Sequence, residues 1–232
     1  MKFFLLGGGS GSRFQPWTLI INKCLIPVAG KPAARWNIED IRTQDPLSEL
    51  VVCINKKDEE AFRYELRDVQ NVAFSVSEEP LGTVGELLIA KKLIVGTTIL
   101  KYLDDLTEID YKKLIEFHHK KNAIATIAVT SQFQLPVGVV AVGFGGPQNG
   151  LVVSFEEKPT LDKIIWIGVA ALEPEAVAYF KFGEDIARDT IPRMINAGER
   201  VAAFVNDKPW YDVGNVDAWK KVDEIFRKTR RG

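Results

Sequence analysis

The first 38 residues contain no aspartate and no glutamate. The whole chain is balanced, with 30 Lys+Arg against 31 Asp+Glu, so the acid-free run is a local feature. A formal net charge of −1 leaves no basic excess of the kind that nucleic-acid binders carry. Cysteine is scarce: Cys24 and Cys53 form no C-x-x-C pair, which excludes a zinc ribbon or a disulfide scaffold, and both read as reduced, buried thiols. Histidine is scarcer in effect, because His118 and His119 are adjacent and fall on one predicted helix; both read as structural or surface residues. Long apolar runs are missing as well. MKFFLL stops at Gly7, too early for a signal-peptide core, and nothing approaches the ~18 residues of a membrane span. These absences point to a cytoplasmic protein with no nucleic-acid or membrane partner.

What is present is a chain of 232 residues, 46% hydrophobic, enough for one domain with two lobes. Apolar, β-branched runs predict strands at 2–6, 50–54, 72–76, 97–103 and 124–129. Helical spacing places Tyr111, Leu114, Ile115 and His118 on one face, and helices are also predicted over 58–66 and 85–94. Strands alternating with helices imply a parallel sheet covered on both sides. Further strands are predicted at 137–142 and 151–155, around the hairpin-type turn GFGGPQNG, and at 164–172 and 201–205. Two helices are expected between these last two strands. A final amphipathic helix from about Asn215 carries Val216, Trp219, Val222 and Phe226. The expected organisation is one domain over 1–232, with a lobe of about 1–110 for a nucleotide and one of about 111–232 for a second substrate.

The acid-free segment holds GGGSGSR, residues 7–13. Glycines let successive backbone N–H groups converge on an anion, and Arg13 adds a forked cation at the end of that nest. A di- or triphosphate is the natural ligand. The dinucleotide fingerprint is disfavoured: its third glycine falls on Phe14, and the first acids after the loop are Glu39 and Asp40. A Walker A loop ending in Gly30-Lys31 would need a glycine at 25, which is Leu25.

With these residues laid out, the chain resembles the sugar nucleotidyltransferases (nucleoside-diphosphate-sugar pyrophosphorylases). GGSGSRFQPWT (8–18) resembles G-G-x-G-[ST]-R-x-x-P-x-T, and NKCLIPVAGKP (22–32) resembles P-K-x-x-x-P-V-x-x-K-P with Asn22 in place of proline. EEPLGTVGEL (78–87), LDDLTEID (103–110), FEEKP (155–159) and WYDVG (210–214) resemble further motifs of that family, in the same order. The loop SVSEEPLGTVG (75–85) resembles that of the mannose 1-phosphate guanylyl branch, and thymidylyl and uridylyl members share much of it; GTP or dTTP is the implied nucleotide.

The resemblance implies a Rossmann-like three-layer α/β sandwich with a mixed, mainly parallel sheet. It implies transfer of a nucleotidyl group from an NTP to a sugar 1-phosphate, giving an NDP-sugar and pyrophosphate with Mg²⁺ as cofactor. Arg13, Lys23 and Asp104 would be catalytic. Leu6, Gly8, Gly9, Gly11, Ser12, Arg13, Glu79 and Gly82 would bind the nucleotide. Gly138, Glu157, Lys158 and Gly168 would bind the sugar phosphate. Asp104 and Asp212 would hold the metal, with Asp105 as the neighbouring candidate. The attacking phosphate oxygen is already ionised, so no general base is required, and the poverty in histidine fits. The chain is expected to be a short, core-only member, and homo-oligomerisation is left open.

Three departures stand out: Asn22 for proline, Leu103 for the glycine before the metal-binding aspartate, and Trp166 for an asparagine that meets the sugar. Leu103 could crowd the nucleotide or metal. Trp166 suggests a different, smaller or absent sugar. They keep open a non-catalytic nucleotide-binding relative acting as a regulatory partner, and a transferase for a non-sugar phosphate such as phosphocholine.

Overall fold

In the computed structural model, which describes residues 1–9 and 11–229, the strands are β1 (Lys2–Leu6), β2 (Pro27–Val28), β3 (Lys31–Pro32), β4 (Glu49–Asn55), β5 (Val72–Ser77), β6 (Thr98–Tyr102), β7 (Asp105–Thr107), β8 (Ala125–Thr130), β9 (Gly138–Val142), β10 (Val152–Glu157), β11 (Ile165–Leu172), β12 (Val201–Val205) and β13 (Trp210–Asp212). The α-helices are α1 (Ala33–Gln44), α2 (Glu59–Glu65), α3 (Gly82–Ile89), α4 (Tyr111–Lys121), α5 (Ile191–Asn196) and α6 (Val216–Thr229).

Seven strands form the main sheet in the order β12-β8-β11-β6-β1-β4-β5. β1 pairs in parallel with β4 and β6, β4 with β5, and β8 with β12. β11 alone runs antiparallel, between β6 and β8. Strands from both halves of the chain thus share one sheet. Phe3, Phe4 and Leu5 are fully buried, as expected of a central strand covered on both faces. On one face lie Ile38 and Ile41 of α1, Phe62 of α2, and Tyr111 and Leu114 of α4. On the other lie Val84 and Leu87 of α3 and Ile191 and Met194 of α5. This is the three-layer α/β sandwich, mixed and mainly parallel. Among the described residues, no helix is long and apolar enough to cross a membrane.

A third apolar cluster joins the two ends of the chain. Val222 and Phe226 of α6 pack with Phe14, Val28, Leu106 and Val213. The Trp219 indole donates to Pro27 O (2.7 Å), and Asp223 accepts from the Ala29 amide (2.6 Å). The last helix therefore braces the segment that follows the glycine loop.

The periodic strands and helices fall within a few residues of their predicted spans. Helix α1 has no counterpart in the sequence reading. Its buried positions are Ala33, Ala34, Asn37, Ile38 and Ile41, a stripe of small and polar residues rather than a strong apolar face. α3 begins at Gly82, earlier than the predicted Gly85, and Lys91–Leu93 is a separate 3₁₀ turn. The first of the two helices expected after β11 is a 3₁₀ segment, Pro174–Tyr179. β9 and β10 form a two-stranded ribbon separate from the main sheet and exposed along its whole length.

On α4, His118 is wholly buried, 2.8 Å from Thr126 Oγ1 and 3.0 Å from Glu173 Oε1. Burial lowers its pKa below the usual 6.5, against the opposing pull of Glu173. The unfolded chain therefore takes up this proton at a higher pH than the native one, so stability from His118 is complete above about pH 6.5 and is lost as pH falls through the native value. Urea unfolding should show that loss between neutral and mildly acidic pH. His118→Gln should flatten that part of the profile; an unchanged slope would rule out His118 as its source.

Candidate active site

The glycine loop leaves the C-terminal end of β1, the usual ligand-facing end of a parallel α/β sheet. The Gly7 amide still donates to Cys53 O (2.9 Å), extending the ladder by one step, before the chain turns away. Gly11 has φ +62°, and a Cβ there would lie 2.7 Å from Thr18 Cγ2. Thr18 Oγ1 in turn donates to Gly11 O (2.8 Å), so this turn both needs glycine and is pinned from behind. Ser12 and Arg13 follow in a 3₁₀ turn, Ser12–Phe14, anchored by buried Phe14.

Asn22 replaces a rigid proline with a network. Its Oδ1 accepts from the Cys24 amide (2.9 Å), capping the 3₁₀ turn Lys23–Leu25, while Nδ2 donates to Gly7 O (2.9 Å) and Asp58 Oδ2 (2.8 Å). The cap ties the lysine-bearing turn to the glycine loop. Lys23, only 9% exposed, then reaches Asp104 Oδ2 at 2.7 Å.

Asp104 and Asp105 sit where β6 passes into β7. In the β7–β13 ladder Asp212 lies directly opposite Asp105. Burial raises the Asp105 carboxyl well above the usual carboxylate range, and the charges of Asp104 and Asp212 raise it further. Gly168 lies against this cluster at φ +71°, in the irregular stretch of β11 between Trp166 and Ala170. A Cβ on it would lie 2.6 Å from Asp105 Oδ2.

Leu6, Gly8, Gly9, Gly11, Ser12, Arg13, Lys23, Gly82 and Asp104 all line one cleft of about 390 Å³. Glu79 is exposed and outside the lining, although Pro80 next to it contributes. Asp212 also stands outside, with Gly214 lining in its place. Gly138 and Glu157 face each other at the base of the β9–β10 ribbon, and Lys158, more than half exposed, pairs with Glu157 at 3.3 Å; none of the three lines the cleft. Thr83, Glu86, Tyr102 and Asp185 also line it, and the sequence reading singled out none of these four. Thr83 lies within the LGT motif and was legible in principle. Asp185 was not: it reaches Thr83 across the fold, with Thr83 Oγ1 donating to Asp185 Oδ2 at 3.1 Å.

The two other departures resolve differently. Leu103 is fully buried and its Cδ1 lies 3.4 Å from where a Gly7 Cβ would stand, so it fills the core beneath the loop and is absent from the cleft wall. Trp166 packs edge-on against the cleft residue Tyr102 (centroids 5.4 Å apart, 63°), with its indole donating to Val169 O at 2.8 Å.

The donor set suits a hard cation held by one or two carboxylates together with ligand phosphates, the usual arrangement for Mg²⁺. Among the described residues no three His, Cys, Asp or Glu side chains form a ready-made metal cage.

A glycine loop, an arginine and a buried lysine paired with Asp104 converge on one cleft at the C-terminal end of β1, an arrangement chemically suited to an anion. Over residues 2–228 the chain matches the family described as Nucleotidyl transferase, and it belongs to that family. It is 27% identical to a UTP–glucose-1-phosphate uridylyltransferase of Synechocystis sp. over 98% of this chain and 64% of the relative. It is 30% identical to a mannose-1-phosphate guanyltransferase of Yarrowia lipolytica over 92% of this chain and 61% of the relative. The chain thus spans less than two thirds of the length of these relatives. The fold is shared with the crystal structure of HddC from Yersinia pseudotuberculosis, at a TM-score of 0.75 and 24% identity, over 97% of this chain and 99% of that one.

Proposed function

We propose that this protein is a cytoplasmic nucleotidyltransferase that joins the nucleotidyl group of an NTP to a sugar 1-phosphate, releasing pyrophosphate, with Mg²⁺ as cofactor. The observation that carries this reading is the convergence of the glycine loop, Arg13, Lys23 and Asp104 on one cleft. An oxygen of the sugar phosphate attacks the α-phosphorus. The bond to the β-phosphate breaks, and its electron pair leaves with pyrophosphate. The attacking oxygen is already ionised, so the chain's task is to bring two anions into line and neutralise them. The loop amides and Arg13 hold the departing phosphates, and Lys23 supports the transferring one. When bound at Asp104 and Asp212, Mg²⁺ would neutralise charge on the α-phosphate. Glu157, Lys158, Gly138 and Gly168 belong to the sugar-phosphate side.

The test is pyrophosphate release with Mg²⁺ across GTP, ATP, CTP, UTP and dTTP, paired with a panel of sugar 1-phosphates and with phosphocholine. Release requiring one NTP and one sugar phosphate supports the reading. Release only with phosphocholine would redirect it to a non-sugar acceptor, a reading that Trp166 beside Tyr102 keeps in view. No release from any pair, together with tight nucleotide binding, would overturn catalysis in favour of a nucleotide-binding regulatory role.

A further inference from the structure

Glu86 is a charged residue that the transfer chemistry does not use. It lies in the second turn of α3, is 4% exposed, and lines the cleft with Gly8, Pro80, Gly82 and Thr83. It meets the loop at Gly8, before the turn that presents Ser12 and Arg13. The approach is close: a Cβ on Gly8 would stand 2.2 Å from Glu86 Oε1. Asn55, at the end of β4, also holds this stretch, donating from Nδ2 to Gly8 O.

The carboxyl is poorly provided for. Ser77 Oγ lies 3.3 Å from Glu86 Oε1, but the same hydroxyl is 3.0 Å from Asn55 Oδ1 and 3.3 Å from Ile54 O, and one proton cannot serve all three. Oε2 accepts no hydrogen bond, and no lysine, arginine or histidine pairs with Glu86, among the described residues. Burial pushes its pKa up to about 7, with the Ser77 hydrogen bond opposing. A carboxylate kept in a cleft without a cation is costly unless a ligand brings donors to it.

A general-base role is not called for, because the attacking phosphate oxygen carries no proton to remove. The remaining variable part of an NTP is its base. Guanine presents two adjacent donors, N1–H and the exocyclic N2 amino group, which match the two oxygens of one carboxylate. Uracil and thymine present one N–H between two carbonyl oxygens, which an ionised carboxylate repels. Adenine and cytosine set their amino group beside a ring-nitrogen acceptor. We propose that Glu86 reads the donor edge of guanine, so that the nucleotide of this enzyme is GTP. The proposal rests on the reading of the cleft as an NTP site and names its base.

The test is calorimetric binding of GTP, ITP, UTP and dTTP with Mg²⁺ to the wild-type chain and to Glu86→Gln. ITP lacks only the N2 amino group. The wild type should bind GTP at least about tenfold more tightly than ITP, the effect of one charge-assisted hydrogen bond. Glu86→Gln should bring the GTP-to-ITP ratio towards one while the thermal midpoint stays near that of the wild type. The wild-type comparison stands even if the variant folds poorly. Equal or tighter binding of UTP or dTTP, or an unchanged GTP-to-ITP ratio in a folded variant, would overturn the role of Glu86 and leave the transferase reading intact. Failure of every NTP to bind would instead overturn the reading of the cleft.

Discussion

Asp104→Asn should lower the rate of pyrophosphate release by about 100-fold or more, the scale on which loss of one electrostatic stabiliser of a reaction's developing charge is felt. The substitution conserves shape. What it removes is the charge that faces Lys23 across 2.7 Å and, in the proposed reaction, the principal carboxylate for Mg²⁺. The fold should barely respond, because Asp104 is about one third exposed and an asparagine oxygen can still accept from Lys23. The measurement is steady-state turnover beside thermal unfolding of the same preparation. Turnover within tenfold of the wild type in a folded variant would show that Asp104 does not face the reacting phosphates.

Gly168→Ala should destabilise the fold by about 2–4 kcal/mol, from a left-handed backbone cost of ~1–2 and an overpacking cost of similar size. The backbone is at φ +71°, and the added methyl would meet Asp105 Oδ2 at 2.6 Å, with Tyr102 Cβ and Cδ2 at 3.3 Å. Neither neighbour can yield freely. Asp105 is held in the ladder with Asp212, and the Tyr102 ring is packed against Trp166. Gly183→Ala is the control. Gly183 has φ +79° but nothing within 4 Å of its Cβ position, so it carries the backbone cost alone. Urea unfolding of the two variants separates the terms. Equal losses would show that the close approach to Asp105 is not what requires glycine at 168.

Much of this protein is legible in one dimension because its cues are local. Five apolar runs, the last four separated by helical periodicities, yield a parallel sheet without reference to any contact. The loop proposed to hold phosphate stands out through glycine spacing and the missing acids. Asn22 shows where that reading stops. As a letter it is a proline lost; in the fold it is a cap that joins Lys23 to the glycine loop through Gly7 O and Asp58. Leu103 shows the same limit, since a leucine beside a cleft aspartate can face either the cleft or the core, and only packing against Gly7 decides for the core.

By itself, then, the sequence determined the layered α/β architecture, the place of the glycine loop and the family to which the chain belongs, because hydrophobic period and glycine spacing act over a few residues. Only the tertiary structure decided which side chains share the cleft. Thr83 and Asp185 meet across about a hundred residues, Asp105 and Asp212 across a similar span, and Glu86 reaches Gly8 between two different layers. Such pairings come from the register of strands and the docking of helices, which no short-range pattern encodes.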